Sequence, residues 1–139
     1  MVETHLAMQA QDFGPAKWSI GQRLSGSTDV EVERAFTRGS ILRTHVLRPT
    51  WHFVARRDLR WLLSLSGPRV QKGLQPRYRQ LGLDGRTRSR AETVIARALL
   101  DGDLTRREVN DVLRRSGIDT EGQRLPHLLI HCELESVIC

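Results

Sequence analysis

Residues 41 to 65 read ILRTHVLRPTWHFVARRDLRWLLSL. Two short apolar-alternating runs, Ile41 to Leu47 and Trp51 to Ala55, are separated by Arg48-Pro49-Thr50 and followed at once by an amphipathic segment carrying Leu59, Leu62, Leu63 and Leu65. The pattern predicts a β-hairpin feeding a helix. Alternation puts Leu42, Thr44 and Val46 on one face and Arg43 and His45 on the other; on the return strand Trp51 and Phe53 oppose His52 and Val54. Pro49 has no amide hydrogen to give a ladder, so it belongs in the connection. The polar positions of the stretch are almost all basic or imidazole: Arg43, His45, Arg48, His52, Arg56, Arg57 and Arg60.

Upstream of the hairpin the periodicity is helical. Val2, Leu6, Ala7 and Ala10 fit one face of a helix from Val2 to Gln11, which Gly14-Pro15 should end. Pro15 then suits the first position of a second helix that packs through Trp18, Ile20 and Leu24 and runs to Ser25-Gly26. Thr28-Asp29-Val30-Glu31 is a capping box, in which the Thr hydroxyl and the Glu carboxylate satisfy each other's orphan amides. It opens a third helix from about Asp29 to Arg38, stopped by Gly39. Three short helices followed by a hairpin is the order of a winged helix.

Downstream, Gly67-Pro68 restarts the chain into PRVQKGLQPRYRQLGL, where Gly73 and Pro76 predict a broken or kinked helix. After Gly85, Thr87 or Ser89 caps a helix through Ala91, Val94, Ile95, Ala98, Leu99 and Leu100. Thr105 and Glu108 form a second capping box ahead of Val109, Val112 and Leu113. A last helix carries Leu125, Leu128, Leu129, Cys132 and Leu134, which completes a helix-turn-helix order. Ser136-Val137-Ile138-Cys139 reads as the start of a strand that lacks a partner, as in a truncated second unit.

At 139 residues the chain suits one compact domain or two very small ones. No run of about 18 uncharged apolar residues exists, and the start lacks the basic and apolar blocks of a secretory signal. A cytoplasmic protein without a membrane partner is expected. Cys132 and Cys139 are too few for a disulfide framework. The formal charge of +6 is unevenly spread. Residues 43 to 90 hold eleven Arg and Lys72 against Asp58 and Asp84, while the remainder holds ten basic and fourteen acidic residues. Clustering of that kind favours a polyanion partner; the alternative is a solvated basic face.

Gln9 and Gln11 flank Ala10 in AMQAQDFGP, a pattern that by itself describes two polar residues at a helix end. Its context is LAMQAQDFGPAKWSIGQRL, then RPTWHFVARRDLRWLLSLSGPRV, LTRREVNDVLRRSGI and HLLIHCELESVIC, in that order. These blocks, from about Leu6 to Cys139, resemble the AlkZ/YcaQ-like family of winged-helix DNA-binding proteins, whose studied members are bacterial DNA glycosylases. The resemblance implies a DNA repair hydrolase and a catalytic motif of Gln, an apolar residue, then Gln or Asp, which carries over to Gln9 and Gln11. Only eight residues precede Gln9, family members continue past the point equivalent to Cys139, and RPTWHFV has Pro and Trp where better-known members read Gly and Leu. The chain therefore reads as the front portion of such a protein or a short relative.

The chemistry suits amides. An N7-alkylated purine is already a cation and leaves the sugar without a general acid, so the protein need only hold a water and stabilise an oxocarbenium-like sugar with oriented dipoles. A Gln carbonyl can position water, and its NH₂ can bind an oxygen. Asp12, next to the motif, is a spare carboxylate or an ordinary turn residue. Arg43, His45, Arg48, His52, Arg56, Arg57, Arg69 and Lys72 are the candidate DNA contacts, with a structural role as the alternative for His45 and His52. His127 and His131 stand four apart beside Cys132 and Glu133, but the Glu of a H-E-x-x-H metal motif is missing and the family uses no metal. No cofactor is expected. Trp18, Trp51 and Trp61 are assigned to packing.

The sequence thus predicts a mainly α fold with a small β component, in tandem winged-helix architecture. A first unit covers residues 1 to 55, a basic helical connector 56 to 86, and the helical part of an incomplete second unit 87 to 139. The partner is double-stranded DNA, and the resemblance implies hydrolysis of the N-glycosidic bond of alkylated purines. The alternatives are a non-catalytic winged-helix DNA-binding module or regulator, and a protein-interaction winged helix.

Overall fold

The hairpin forms where the alternation places it: in a computed structural model describing residues 2–139, β2 (Ile41–His45) and β3 (Trp51–Ala55) pair antiparallel. The fold is mainly α with one three-stranded antiparallel sheet, as the sequence predicts. The elements are α1 (Val2–His5), β1 (Ala7–Gln9), α2 (Phe13–Gln22), α3 (Asp29–Thr37), β2, β3, α4 (Arg56–Gln80), α5 (Gly85–Ala98), α6 (Arg106–Arg115) and α7 (Arg124–Leu134), with a 3-10 turn at Leu99–Asp101. The described chain divides into two compact units, one up to Val70 and one from Gln71 to Ile138.

The expected first helix is the main departure. It lasts one turn, Leu6 takes a positive φ of 60°, and Ala7–Gln9 becomes a strand on the far side of β3, giving the order β1-β3-β2. The reason lies elsewhere in the chain. Trp51–Ala55 would otherwise leave a row of unpaired amides and carbonyls along one edge, and strand partnership outweighs the weak helical preference of a short segment. Gly14-Pro15 accordingly lies in the first turn of α2, where the amide that Pro lacks is an orphan in any case.

In the first unit Val2, Ala10, Ile20, Val32, Phe53 and Ala55 form the buried core, with Met8, Ala16, Phe36, Ile41 and Trp51 packed on it. Phe13, Phe36 and Phe53 make a cluster of tilted and edge-on rings with centroids 4.8 to 5.7 Å apart. Trp18 is exposed, against expectation. Positions 18 and 20 lie about 200° apart on a helix, so they cannot share one core face, and Ile20 takes it. Thr28 and Glu31 form the capping box of α3 as read from sequence, with Glu31 N to Thr28 Oγ1 at 3.3 Å and Thr28 N to Glu31 Oε2 at 2.8 Å.

Helix α4 runs unbroken through Gly67-Pro68, Gly73 and Pro76, where a break was expected. Leu62, Ser66, Val70, Leu74 and Tyr78 repeat every four residues and are all buried. A proline inside a helix costs about 3 kcal/mol, whereas fully burying each large apolar side chain contributes about 1.5 to 3 kcal/mol. The continuous stripe outweighs the breakers. Ser66 Oγ lies 2.7 Å from both Leu62 O and Val46 O, and its one hydroxyl hydrogen, shared between the two carbonyls, ties α4 to the end of the hairpin.

The second unit buries Leu83, Ala91, Ile95, Val109, Leu113, Ile118, Leu128 and Cys132. The cap of α5 is Asp84, whose carboxylate accepts from Thr87 N at 2.7 Å, in place of the expected Thr87 or Ser89. The Thr105–Glu108 capping box opens α6 as predicted. Residues 136 to 139 form no strand; Ser136 takes a positive φ of 62°, and the amides of Ser136, Val137 and Ile138 turn back onto the Glu133 and Cys132 carbonyls at the end of α7.

Candidate functional site

The sheet register builds the site. Gln9 lies opposite His52 and His52 opposite Thr44, and directly opposed residues project to the same face. Gln9, His52 and Thr44 therefore form one row across all three strands. The opposite face carries Met8, Phe53 and Arg43, also in register, and packs on the core of the first unit. Pairing continues one step beyond β1, where Ala10 N donates to Trp51 O at 2.7 Å. Ala10 is fully buried, while Gln9 and Gln11 are exposed on either side of it.

The two carboxamides are oriented by donors that cannot accept. Arg48 Nη2 donates to Gln9 Oε1 at 3.2 Å, and Trp51 N donates to Gln11 Oε1 at 3.3 Å. A guanidinium and a backbone amide carry no acceptor, so in each Gln the oxygen must face the partner and the NH₂ the other way. Each oxygen keeps a second lone pair. Arg43 completes the frame: its Nε donates to Ala10 O at 3.0 Å and its Nη2 to Gln11 O at 2.8 Å, with the guanidinium carbon 4.4 Å from the centroid of the Trp51 ring.

Both histidines of the hairpin are buried. The His45 ring lies 4.2 Å from that of Trp51, centroid to centroid. Burial pushes the His52 pKa down from its ordinary 6.5; the Thr50 backbone opposes the shift, and Arg48 and His45 add to it. His52 is therefore a neutral imidazole at pH 7, and among the described residues neither its buried Nδ1 nor the neighbouring Thr50 Oγ1 has a hydrogen-bond partner. Arg48, Arg56 and Arg57 are exposed; Arg57 Nε is 4.0 Å from Asp58 Oδ2. Arg69 and Lys72 are exposed, three residues apart on α4. The structure thus gathers Gln9, Gln11, Arg43, Arg48, His45 and His52 around β3, and places Arg69 and Lys72 further along the chain. Asp12 is the N-cap of α2 without a side-chain cap bond.

A cavity of about 350 Å³ opens beside Gln9, lined also by His5, Ala7, Met8, Ser19 and Arg23. Arg23 Nη1 donates to Ser19 O at 2.8 Å. Sequence reasoning missed His5, Ser19 and Arg23, because only the fold of α1 and α2 onto the sheet brings them to the motif. In the second unit Arg86, Thr87, Arg90, Asp119 and Arg124 line a cavity of about 390 Å³, with Arg124 Nε 3.2 Å from Asp119 Oδ2.

The cluster around α7 is differently built. His131 Nε2 meets Glu92 Oε1 at 2.6 Å and its Nδ1 meets Gln71 Nε2 at 2.8 Å. His127 Nδ1 is 2.7 Å from Gln123 O. Burial, with Glu92, Glu133 and Glu135 adding, pushes the Cys132 thiol up to about 12, so it is no thiolate at neutral pH. Among the described residues no group of three His, Cys, Asp or Glu side chains is placed to hold a metal ion, and no helix is long and apolar enough to cross a membrane.

The small sheet presents two oriented carboxamides at its edge, and neither glutamine can act as a strong base. The model of the family described as DNA glycosylase AlkZ-like matches residues 2–139, and the chain belongs to that family. DNA is the substrate class that membership implies. No curated protein and no solved structure matches the chain.

Proposed function

We propose that the protein is a monofunctional DNA glycosylase that releases N7-alkylated purines from duplex DNA, with Gln9 and Gln11 as its catalytic residues. The observation that supports this most directly is the fixed orientation of the two carboxamides on either side of buried Ala10. The C1′–N9 bond breaks with its electron pair passing to the base, which neutralises the purine cation, so no group on the protein has to protonate the leaving group. Water then adds to C1′ and gives its proton to solvent. The second lone pair of each Gln oxygen, at the negative end of the amide dipole, faces the positive sugar and holds the water, while the NH₂ groups are left to bind oxygens of the DNA; such electrostatic assistance needs no titratable group.

Exposed Arg48, Arg56, Arg57, Arg69 and Lys72 would contact phosphates, which place the duplex and carry no lesion specificity. The architecture that fits this reading is a tandem winged helix, with units at 1 to 55 and 87 to 139 joined by a basic helical connector. Two measurements test the function. DNA carrying N7-methylguanine should acquire abasic sites with the unaltered protein and not with Gln11→Ala, and equal release by both overturns the assignment. Duplex affinity should fall steeply with salt, with a log-log slope that counts several neutralised phosphates; an affinity indifferent to salt removes the phosphate contacts.

A further inference from the structure

Arg43 sits in the middle of β2, opposite Phe53, yet its guanidinium reaches the backbone of the glutamine motif more than thirty residues earlier in the chain. In an extended strand successive carbonyls point to opposite sides. Here the consecutive carbonyls of Ala10 and Gln11 both accept from one guanidinium, so the chain has left the strand at this step and Arg43 bridges its exit. The same guanidinium is braced on the Trp51 ring at 4.4 Å, with Phe13 at 5.9 Å. Trp51 is bonded to the motif twice, through its carbonyl to Ala10 N and through its amide to Gln11 Oε1. Arg43, Trp51 and the motif therefore form a closed frame, in which the direction of the Gln11 carboxamide follows from where the guanidinium holds the backbone. A lysine could not reproduce it, because an ammonium lacks the planar fork that meets two acceptors and stacks on a ring.

We propose that Arg43 is a positioning residue for the glutamine pair and not a phosphate contact: it sets the exit turn of the motif and thereby the aim of Gln11. The inference rests on the assignment of Gln9 and Gln11 above. A misplacement of about 1 Å at such a site costs on the order of 10²-fold in rate.

The test uses the full chain with Arg43→Ala, Arg43→Lys and Gln11→Ala, and duplex DNA containing N7-methylguanine. With Arg43→Ala, single-turnover base release should fall about 10²-fold, while duplex affinity and its salt slope stay at the values of the unaltered protein. Arg43→Lys should not restore the rate. Free guanidinium ion at millimolar concentration should restore part of it to Arg43→Ala and none to Gln11→Ala. A weaker affinity with a salt slope reduced by about one would make Arg43 a phosphate contact and overturn the proposal, as would full activity with lysine. Should Arg43→Ala fail to fold, Arg43→Lys carries the same comparisons.

A readout independent of activity separates this proposal from the glycosylase reading. The ¹⁵N side-chain amide signals of Gln11 should lie away from those of free glutamine in the unaltered protein and move toward them in both Arg43 variants. Signals unmoved by the substitution overturn the positioning role, whether or not any base is released. Base release that survives Gln11→Ala overturns the glutamine assignment, and the amide signals then decide Arg43 alone.

Discussion

The hydrogen-bond network at Gln9 and Gln11 and the one at His131 are built from the same kinds of side chain and end differently. Around His131, Tyr78 OH donates to Gln71 Oε1 at 3.0 Å, and Gln71 Nε2 reaches both His131 Nδ1 and Glu135 Oε1 at 2.8 Å. His131 Nε2 closes on Glu92. Gln71 thus spends its oxygen and its NH₂ on protein partners. Gln9 and Gln11 commit one lone pair of each oxygen to a protein donor and turn their NH₂ groups away from it, on exposed side chains. A network closed on itself stabilises a fold; one anchored at one end leaves oriented valence for a ligand. Glutamine is a structural residue in one place and a candidate catalytic residue in the other, and the difference lies in what each amide has left over.

The largest expected effect breaks that contrast at the open network. Gln11→Ala should lower base release by about 10²- to 10³-fold, the usual cost of removing one preorganised dipole, and should leave the urea midpoint nearly unchanged, since the side chain is exposed. A large loss of stability instead would make the open network structural. The closed network should respond in the opposite sense. His131→Ala removes a hydrogen-bonded partner of Glu92 and of Gln71, so urea unfolding should show a loss of about 2 to 3 kcal/mol, with base release per folded molecule unaltered.

Thr28→Ala lies in neither network and calibrates both. It removes the side-chain cap of α3 and should cost about 1 kcal/mol by thermal or urea unfolding, well below the effect at His131. The smallest effect concerns pH. Because burial holds His52 below 6.5 in the folded protein, the unfolded chain binds more protons beneath that pH, and stability rises with pH there. The contribution is fully present above pH 6.5 and is lost as pH falls below it, ahead of the carboxylates. His52→Gln should flatten the decline, measured as urea midpoints across that window; an unchanged decline would assign it to another group.

Much of the local structure was legible in the chain. Both capping boxes, the hairpin with its Pro49 connection and the stop at Gly39 follow from short-range rules, because the interactions that decide them span a few residues. The glutamine motif was legible only through resemblance, since Q-x-Q has no local meaning. The failures are long-range. Ala7–Gln9 looks helical until β3 offers an edge, and α4 looks broken until one counts its buried stripe. The basic hairpin looks like a cationic face, but Arg43 turns onto the Ala10 and Gln11 carbonyls while His45 and His52 are buried.

Charge clustering, the two capping boxes, the alternation of the hairpin strands and family membership are thus properties of the sequence by itself, because each depends on neighbours in the chain or on the order of its blocks. That both faces of the sheet are covered, that β1 is a strand, and how the amides of Gln9 and Gln11 point were decided by the tertiary structure. The physical reason is distance along the chain: the donors that orient those amides, Arg48 and the Trp51 backbone, lie 39 and 40 residues from them, and no rule of local sequence connects the two.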